Sequence, residues 1–144
     1  MELLSPNFSL AELTVSDTAA RKGINNAPTA EIKNRMILLA NKLELVRKLV
    51  GKPVNITSGY RCPELNKLIG GVANSAHVDG YAADINVNGY TPKQLAEKIR
   101  DSGITYDQLI LEYDTWVHIA VGPTPIRQQD LTIRKGSGYQ KGIV

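Results

Sequence analysis

The longest patterned stretch of this chain runs from residue 29 to residue 50. Its apolar residues recur in steps of four and three, the spacing that places side chains on one face of an α-helix. These residues are Ile32, Met36, Leu39, Leu43, Val46 and Val50. Gly51 and Pro53 follow, and both residue types end helices. We therefore predict a helix over 29–50 with one buried face, which the rest of the chain must cover.

The length and composition are those of one ordinary globular domain. The chain has 144 residues, of which 42% are hydrophobic and 22% are charged. A chain of this size buries roughly two-thirds of the surface that it exposes when unfolded, so we expect a hydrophobic core. Neither an internal repeat nor a low-complexity linker interrupts the sequence. These features exclude a wholly disordered, collagen-like or coiled-coil protein.

Shorter patterns predict further helices and strands around the long helix. Alternating apolar and polar residues, bounded by turn residues, mark strands. The predicted strands cover residues 54–57, 84–87, 108–113 and 116–121. The predicted short helices cover residues 63–69 and the stretch from Thr91 to Gly103, where Thr91 and Gln94 have the spacing of a capping box. The first 28 residues look irregular. Helices mixed with a small antiparallel sheet predict the α+β class.

The small positive charge is concentrated at the C-terminal end. Seventeen Lys and Arg against 14 Asp and Glu give a net charge of +3, which is too small to indicate nucleic-acid binding. The whole excess lies in residues 122–144. The charged residues there are Arg127, Arg134, Lys135 and Lys141 against Asp130. We therefore divide the chain into a domain over 1–126 and a basic tail over 127–144, which we expect to be solvated and partly mobile.

The cysteine content and the N-terminal residues indicate how the chain is stabilised and in which cellular compartment it is made. Cys62 is the only cysteine, so neither an intramolecular disulfide nor a thiolate metal cluster can form. Glu2 stands where a signal peptide has positive charge, and no segment reaches about eighteen consecutive apolar residues. We expect a monomer that is made in the cytoplasm without a signal peptide and does not insert into a membrane.

The two histidines lie where imidazoles need partners. His77 belongs to the segment 75–84, in which Gly80 permits a tight turn. That turn can bring Asp84 back to face His77. His118 lies at the centre of the last predicted strand, between two aliphatic residues, where an unpartnered imidazole is costly to bury.

Two interpretations of these residues fit the spacing equally well. Two imidazoles and one carboxylate from separate elements are the usual protein part of a catalytic zinc site, with water in the fourth position. Alternatively, His118 is a core histidine with a hydrogen-bond partner, and His77 is a loop residue near a helix-capping aspartate. A two-ligand motif with a distant histidine does not decide between them.

The segment S-A-H-V-D-G-Y-A-A-D at 75–84 resembles the S-x-H-x-x-G-x-A-x-D signature of the zinc D-Ala-D-Ala carboxypeptidase family, relatives of the hedgehog fold. The resemblance continues in S-G-Y-R at 58–61 and in W-V-H-I at 116–119. It also includes F-S-L-A-E-L at 8–13, Asn66 and Gly70-Gly71, and so spans residues 7–121. It implies a single hedgehog-like α+β domain with zinc peptidase activity.

The resemblance also implies roles for four residues and a cofactor. His77, Asp84 and His118 correspond to the zinc ligands of the family. Arg61 corresponds to a catalytic contact with the substrate or the developing oxyanion. The implied cofactor is Zn²⁺, which lowers the pKa of its bound water and polarises the scissile carbonyl. An adjacent guanidinium offers a fixed fork of donors to a carboxylate or an oxyanion.

One position departs from the family pattern. The residue three before the final histidine, where much of the family has its catalytic acid, is Thr115. Glu112 and Asp114 are the nearby carboxylates. A five-residue loop between the last two strands places Glu112 opposite His118, whereas a two-residue loop turns it away. Because Asp114-Thr115 lacks the glycine that favours a two-residue turn, and because the shorter phage-type members carry Glu at this spacing, we predict Glu112 as the catalytic base.

Other neighbours of the motif receive lesser roles. Ser75 either contacts a ligand or braces its turn, and Asp79 either faces solvent or orients His77. Three aromatic residues either line a substrate groove or pack in the core and its rim. They are Tyr60, Tyr81 and Trp116.

The resemblance therefore predicts a zinc peptidase that hydrolyses an amide bond in the stem peptides of bacterial peptidoglycan, beside D-alanine. Carboxypeptidase and endopeptidase activity both remain open. A phage or prophage lysis enzyme, which acts on the cell wall after release or as a virion component, fits the expected lack of a signal peptide. The alternative is a zinc-stabilised cell-wall-binding or phage structural module that has lost hydrolysis, which is consistent with Thr115.

Overall fold

The computed structural model describes residues 2–144 and has the α+β class that the sequence predicts. Its helices are α1 (Leu10–Thr14), α2 (Asp17–Lys22), α3 (Ala30–Val50), α4 (Pro63–Leu68) and α5 (Pro92–Arg100). Its strands are β1 (Leu3–Ser5), β2 (Phe8–Ser9), β3 (Asn55–Ser58), β4 (Ala82–Asn86), β5 (Gln108–Glu112), β6 (Trp116–Ala120), β7 (Gln129–Ile133) and β8 (Gln140–Lys141). Within residues 2–144, every helix falls short of the length and apolar character that crossing a membrane requires.

Helix α3 lies where the apolar spacing predicts it. The Thr29 hydroxyl accepts a hydrogen bond from the Ile32 N–H at 3.3 Å, and Gly51 ends the helix at a φ of +67°. Helix α5 has the predicted capping box of Thr91 and Gln94, but it ends before Gly103, at Arg100. The buried faces of both helices join one hydrophobic cluster with the main sheet.

The main sheet has six strands in the order β3-β4-β6-β5-β7-β8. Neighbouring strands are antiparallel except for β5 and β7, which run parallel. Strands β1 and β2 form a separate two-stranded sheet. The hairpin predicted from strands 108–113 and 116–121 is confirmed. It consists of β5 and β6, which lie in the middle of the main sheet.

Side chains alternate between two faces of this sheet. The face toward the helices consists of fully buried aliphatic residues: Ala83, Ile85, Leu109, Leu111, Val117 and Ile119. The opposite face, which we call the open face, carries Asp84 of β4 directly across from His118 of β6. His118 in turn lies across from Ile110 of β5. The register therefore places polar candidates on adjacent strands on one side of the sheet.

The first 28 residues are not irregular as predicted, because they contain β1, β2, α1 and α2. Ser9 and Glu12 form a complete capping box at the start of α1. Phe8 and Leu13 are buried in the core. Each of these four elements has six residues or fewer, and that is too short for a periodic pattern to identify them.

The segment 127–144 belongs to the main sheet, so the expectation of a solvated, partly mobile terminus is wrong. Strand β7 adds to β5, β8 adds to β7, and Ile143 is buried in the core. Arg127 also forms an ion pair with the buried carboxylate of Asp107, with Nη2 2.7 Å from Oδ2. The predicted boundary at residue 127 therefore separates strands of one sheet.

Candidate active site

Three elements bring the proposed metal ligands together on the open face. Asp84 and His118 are cross-strand partners on β4 and β6. His77 comes from the loop that precedes β4. This loop turns at Gly80, whose φ is +82° and where a Cβ would lie 2.8 Å from Cγ2 of Ile32. A glycine is therefore needed there for the loop to pack against α3.

The ligating atoms of His77, Asp84 and His118 lie within 4.8 Å of one another. Oδ1 of Asp84 is 3.2 Å from Nε2 of His77 and 3.2 Å from Nδ1 of His118. The ring centroids of the two histidines are 5.0 Å apart. All three residues are buried, so this is a compact set of donors shielded from bulk water.

The orientation of His77 is set by a backbone group that the sequence did not reveal. Its Nδ1 lies 2.8 Å from the carbonyl oxygen of Gly59. Because a carbonyl only accepts, Nδ1 of His77 carries a proton, and Nε2 is the ring nitrogen that faces Asp84. Gly59 itself packs against α1, where a Cβ would lie 2.4 Å from the Leu13 carbonyl oxygen. The carbonyl, rather than Asp79 as considered above, takes the orienting position.

The Asp84 carboxyl is held in its ionised form. Burial alone would raise its pKa, but hydrogen bonds with His118 and His77 outweigh burial and keep the pKa well below its usual range. A buried carboxylate stays ionised at neutral pH only where positive or hydrogen-bonding partners compensate for lost hydration. Here both partners are imidazoles, whose ring nitrogens could also hold a metal ion.

The donor set fits zinc. Two imidazole nitrogens and one carboxylate oxygen, supplied by a loop and two strands, match the three protein ligands of catalytic zinc sites, which keep a further position for water or substrate. His77 also has the second hydrogen bond that fixes a ligating imidazole. His118 has a hydrogen-bond partner, but this partner is the carboxylate of Asp84, at 3.2 Å from Nδ1, which is itself a candidate ligand.

The β5–β6 hairpin has a three-residue loop, so both loop lengths considered from the sequence are wrong. Tyr113 and Asp114 adopt positive φ angles of 56° and 53°, and the Thr115 N–H bonds to the Glu112 carbonyl at 3.0 Å. The register places Glu112 across from Trp116, not from His118. Because the loop has an odd number of residues, Glu112 still lies on the open face, diagonal to His118.

Glu112 lies in a partly buried position beside the metal candidates. Its Oε1 accepts a hydrogen bond of 2.5 Å from Nε1 of Trp116. Burial raises the pKa of the Glu112 carboxyl, and the Asp84 carboxylate acts in the same direction, while His118 and the Trp116 hydrogen bond oppose them. A raised carboxyl pKa is the property that proton transfer near neutral pH requires.

Asp114, the other carboxylate considered, points away from this group. It is exposed at the tip of the hairpin, and both of its oxygens accept hydrogen bonds from Arg134, at 2.8 and 2.9 Å. Glu112 and not Asp114 therefore shares a cleft with the two histidines.

Arg61 enters the same cleft from the segment that follows β3. Its Nη2 donates to the Ser75 hydroxyl at 3.3 Å, and Ser75 also accepts from the His77 N–H at 3.2 Å. Ser75 therefore braces the turn. Among residues 2–144, Nε of Arg61 is buried without a hydrogen-bond partner. Burial lowers the pKa of Arg61, while Asp84 and Glu112 raise it. The guanidinium therefore has an N–H donor that no described residue uses and a positive charge that suits an anionic ligand.

Of the three aromatic candidates, only Trp116 belongs to the cleft. Tyr60 is buried in the core. Tyr81 is half-buried, with the Arg35 guanidinium 5.1 Å from its ring centroid and Gly122 packed on the ring. The cleft has a volume of about 810 Å³ and is lined by the metal candidates, Arg61, Glu112 and Trp116, among others. Cys62 is buried at the N-cap position of α4 and makes no capping hydrogen bond with its side chain.

Comparison with known proteins gives two concordant matches. Residues 6–120 match the family described as Peptidase M15. The zinc D-Ala-D-Ala carboxypeptidase of Streptomyces albus G is 33% identical over 100 residues, which are 69% of this chain and 38% of that protein. The chain thus spans less than half the length of this curated relative.

The family match covers most of the chain and includes every segment that contributes a candidate ligand or catalytic side chain. Its bounds nearly coincide with residues 7–121, over which the motifs show their resemblance, and that resemblance is confirmed. The chain belongs to the peptidase M15 family.

Proposed function

We propose that this chain is a zinc-dependent peptidase that hydrolyses an amide bond in the stem peptides of bacterial peptidoglycan. The observation that carries the proposal is the convergence of His77, Asp84, His118 and Glu112 in one cleft. The family and the name of the Streptomyces relative support both the reaction and the substrate class.

His77, Asp84 and His118 are the proposed ligands of Zn²⁺. Nε2 of His77 and Nδ1 of His118 are the nitrogens that face Asp84, and so they are the donors. When bound, the metal supplies Lewis acidity, which activates water and polarises a carbonyl near neutral pH.

Glu112 is the proposed general base and, later, the general acid. Its carboxylate accepts a proton from the attacking water and then donates that proton to the leaving amine. Trp116 holds one oxygen of Glu112, which leaves the other to face the cleft. Burial, which raises the carboxyl pKa, makes the protonated form accessible for the second transfer.

Arg61 is the proposed contact with the substrate. Arg61 lines the same cleft as the proposed ligands, where its guanidinium can donate to a substrate carboxylate or to the developing oxyanion. Ser75 fixes the guanidinium through one Nη2 hydrogen bond and leaves other N–H groups for the substrate.

A pair of isosteric variants tests hydrolysis against the alternative of a zinc-stabilised binding module. We expect Glu112→Gln to retain zinc and fold but to lose about 10²- to 10⁴-fold in kcat on peptidoglycan fragments, because a side chain that transfers protons is removed. Asp114→Asn is the matched control, since Asp114 is exposed and bonded to Arg134. Unchanged turnover in Glu112→Gln contradicts the proposed role of Glu112, and intact fragments with zinc-loaded wild type support the binding module.

The finer proposal is a lytic role on the cell wall, of the kind that phage endolysins have. The breadth of the cleft supports action on more than a free dipeptide, because about 810 Å³ is in the range that holds a drug-sized ligand. Mass analysis of fragments released from purified cell walls identifies the cleaved bond and distinguishes trimming of a terminal residue from opening of a cross-link. Release of terminal D-alanine alone contradicts the lytic role.

A further inference from the structure

The cleft continues beyond the metal candidates onto the segment 127–144, which the family match does not cover. Strand β7 widens the open face because it pairs in register with β5: Leu131 lies beside Ile110, and Gln129 lies beside Gln108. Asp84, His118, Ile110 and Leu131 therefore form one continuous row across four strands. The floor of the cleft begins at the metal candidates and ends on β7.

The floor also changes in chemistry along β5 and β7, from one row of paired residues to the next. Ile110, which lies across from His118, and Leu131, which lies beside Ile110, are buried apolar residues. The next row holds Gln108 and Gln129, whose side-chain amides are hydrogen-bonded at 2.8 Å. Since Gln108 donates with Nε2 and Gln129 accepts with Oε1, each amide keeps its other end for a ligand. An apolar patch followed by paired amides suits an extended peptide.

Arg127 lies at the far end of this floor and is held in a fixed orientation. Its Nε and Nη2 donate to the two oxygens of Asp107, at 3.0 and 2.7 Å, and its backbone N–H donates to Asp107 as well. Asp107 is buried, whereas about half of the Arg127 side chain (56%) is exposed. These contacts use two of the five N–H donors of the guanidinium, so the remaining donors are free to bind a second carboxylate.

The distance from the metal candidates to Asp107, the ion-pair partner of this arginine, matches a short peptide. Asp107 lies one strand and three residues from His118, which is roughly 11 Å at ordinary strand spacings. An extended peptide covers that distance in about three residues. On the proposed function, we infer that Arg127 binds a carboxylate that the substrate carries about three residues from the bond that is cut. The cleft therefore selects acidic peptides over amidated ones.

Two synthetic stem pentapeptides that end in D-Ala-D-Ala test the inference. One carries the free α-carboxylate of its D-glutamate, which is the third residue before the terminal bond, and the other has that carboxylate amidated. We expect wild type to have a higher kcat/KM for the acidic peptide. Arg127→Gln lowers kcat/KM for the acidic peptide roughly tenfold or more, because a charged hydrogen bond is lost, and leaves the amidated peptide unchanged. In Arg127→Lys, which keeps the positive charge, we expect part of the preference in kcat/KM for the acidic peptide to remain.

Arg134→Gln is the matched control, because Arg134 lies in the same segment but pairs with Asp114 outside the cleft. Thermal unfolding checks that each variant is folded. Equal losses in kcat/KM on both peptides in folded Arg127→Gln overturn the inference and assign Arg127 to the packing of β7.

Peptide binding to Glu112→Gln, measured by calorimetry, separates the two proposals. If wild type cuts neither peptide but the acidic one still binds more tightly through Arg127, only the proposed function fails. If neither peptide binds, both fail.

Discussion

Individual residues of this site are oriented by neighbouring groups to which we assign neither metal binding nor proton transfer. Gly59 orients His77 through its carbonyl, Ser75 holds Arg61, and Trp116 holds Glu112. Such partners fix the tautomer or rotamer of the group that acts. The motif at 75–84 was sufficient to predict His77 and Asp84 as candidates. The carbonyl of Gly59 could not be predicted, because every residue has a carbonyl and only the packing of Gly59 against α1 brings this one to His77.

The hydrogen bond from Trp116 predicts a pH effect. The indole N–H favours the ionised form of Glu112, so its removal raises the pKa of a carboxyl that burial has already raised. As the proposed base, Glu112 must be ionised to accept a proton, so we expect activity to fall as the pH drops through this pKa. In Trp116→Phe we therefore expect the acid limb of kcat against pH to move to higher pH, with kcat at neutral pH reduced roughly tenfold.

Tyr113→Phe is the control for the Trp116 variant, because Tyr113 is exposed and its ring lies 5.8 Å from the indole without bonding Glu112. A Trp116→Phe enzyme with an unmoved acid limb would show that the indole acts only in packing. Zinc content, measured in parallel, excludes an indirect effect through metal loss.

At the scale of elements, register and loop parity decide which side chains meet. The sequence was sufficient to predict α3 and the β5–β6 pair because their patterns extend over many residues. It was not sufficient to predict the length of the hairpin loop. Tyr113 and Asp114 adopt positive φ angles there, and neither is the glycine that would indicate such a turn in a sequence. The observed three-residue loop and the predicted five-residue loop both have an odd number of residues, so both place Glu112 on the open face. Strand β7 was missed because its partner β5 is distant in sequence and its charged neighbours suggested a solvated tail.

The loop that carries His77 predicts a contrast between two glycines. Gly70 and Gly80 both have positive φ, but a Cβ at Gly70 meets nothing within 4 Å, whereas one at Gly80 meets Ile32. Gly70→Ala is expected to cost roughly 1 kcal/mol of unfolding free energy from backbone strain alone. Gly80→Ala is expected to cost roughly 3 kcal/mol, since overpacking adds to the strain.

Urea unfolding of the two variants at neutral pH measures this difference. Zinc affinity should also fall in Gly80→Ala, because displacement of the loop moves His77, and should be unchanged in Gly70→Ala. Equal unfolding free energies for the two alanine variants would contradict the tight packing of the loop on α3.

At the scale of the whole molecule, the segment 127–144 is joined to the rest by an ion pair with a predictable pH dependence. Hydrogen bonds from Arg127 lower the pKa of Asp107, and burial opposes them. A carboxyl whose folded pKa lies below its unfolded value, about 3.9, stabilises the fold above that pH and loses the effect as the pH falls through the folded pKa. Asp107→Asn should therefore cost about 1 to 3 kcal/mol at pH 7 and progressively less below pH 4.

The matched control is Asp101→Asn, which removes an exposed partner of Arg100 and should change stability little at any pH. Denaturant unfolding from pH 3 to pH 7 measures both variants. If Asp107→Asn lowers the unfolding free energy by the same amount at every pH, the charge of Asp107 does not contribute to stability, which contradicts the prediction.

The proposed chemistry of the whole molecule depends on one metal ion held by His77, Asp84 and His118. Crystals of the protein grown with zinc and measured at the zinc absorption edge test this most directly. We predict a single anomalous peak about 2.0 to 2.2 Å from Nε2 of His77, Nδ1 of His118 and an Asp84 oxygen, and its loss in His118→Ala. A peak elsewhere, or none at this site in protein that hydrolyses its substrate, would contradict the account.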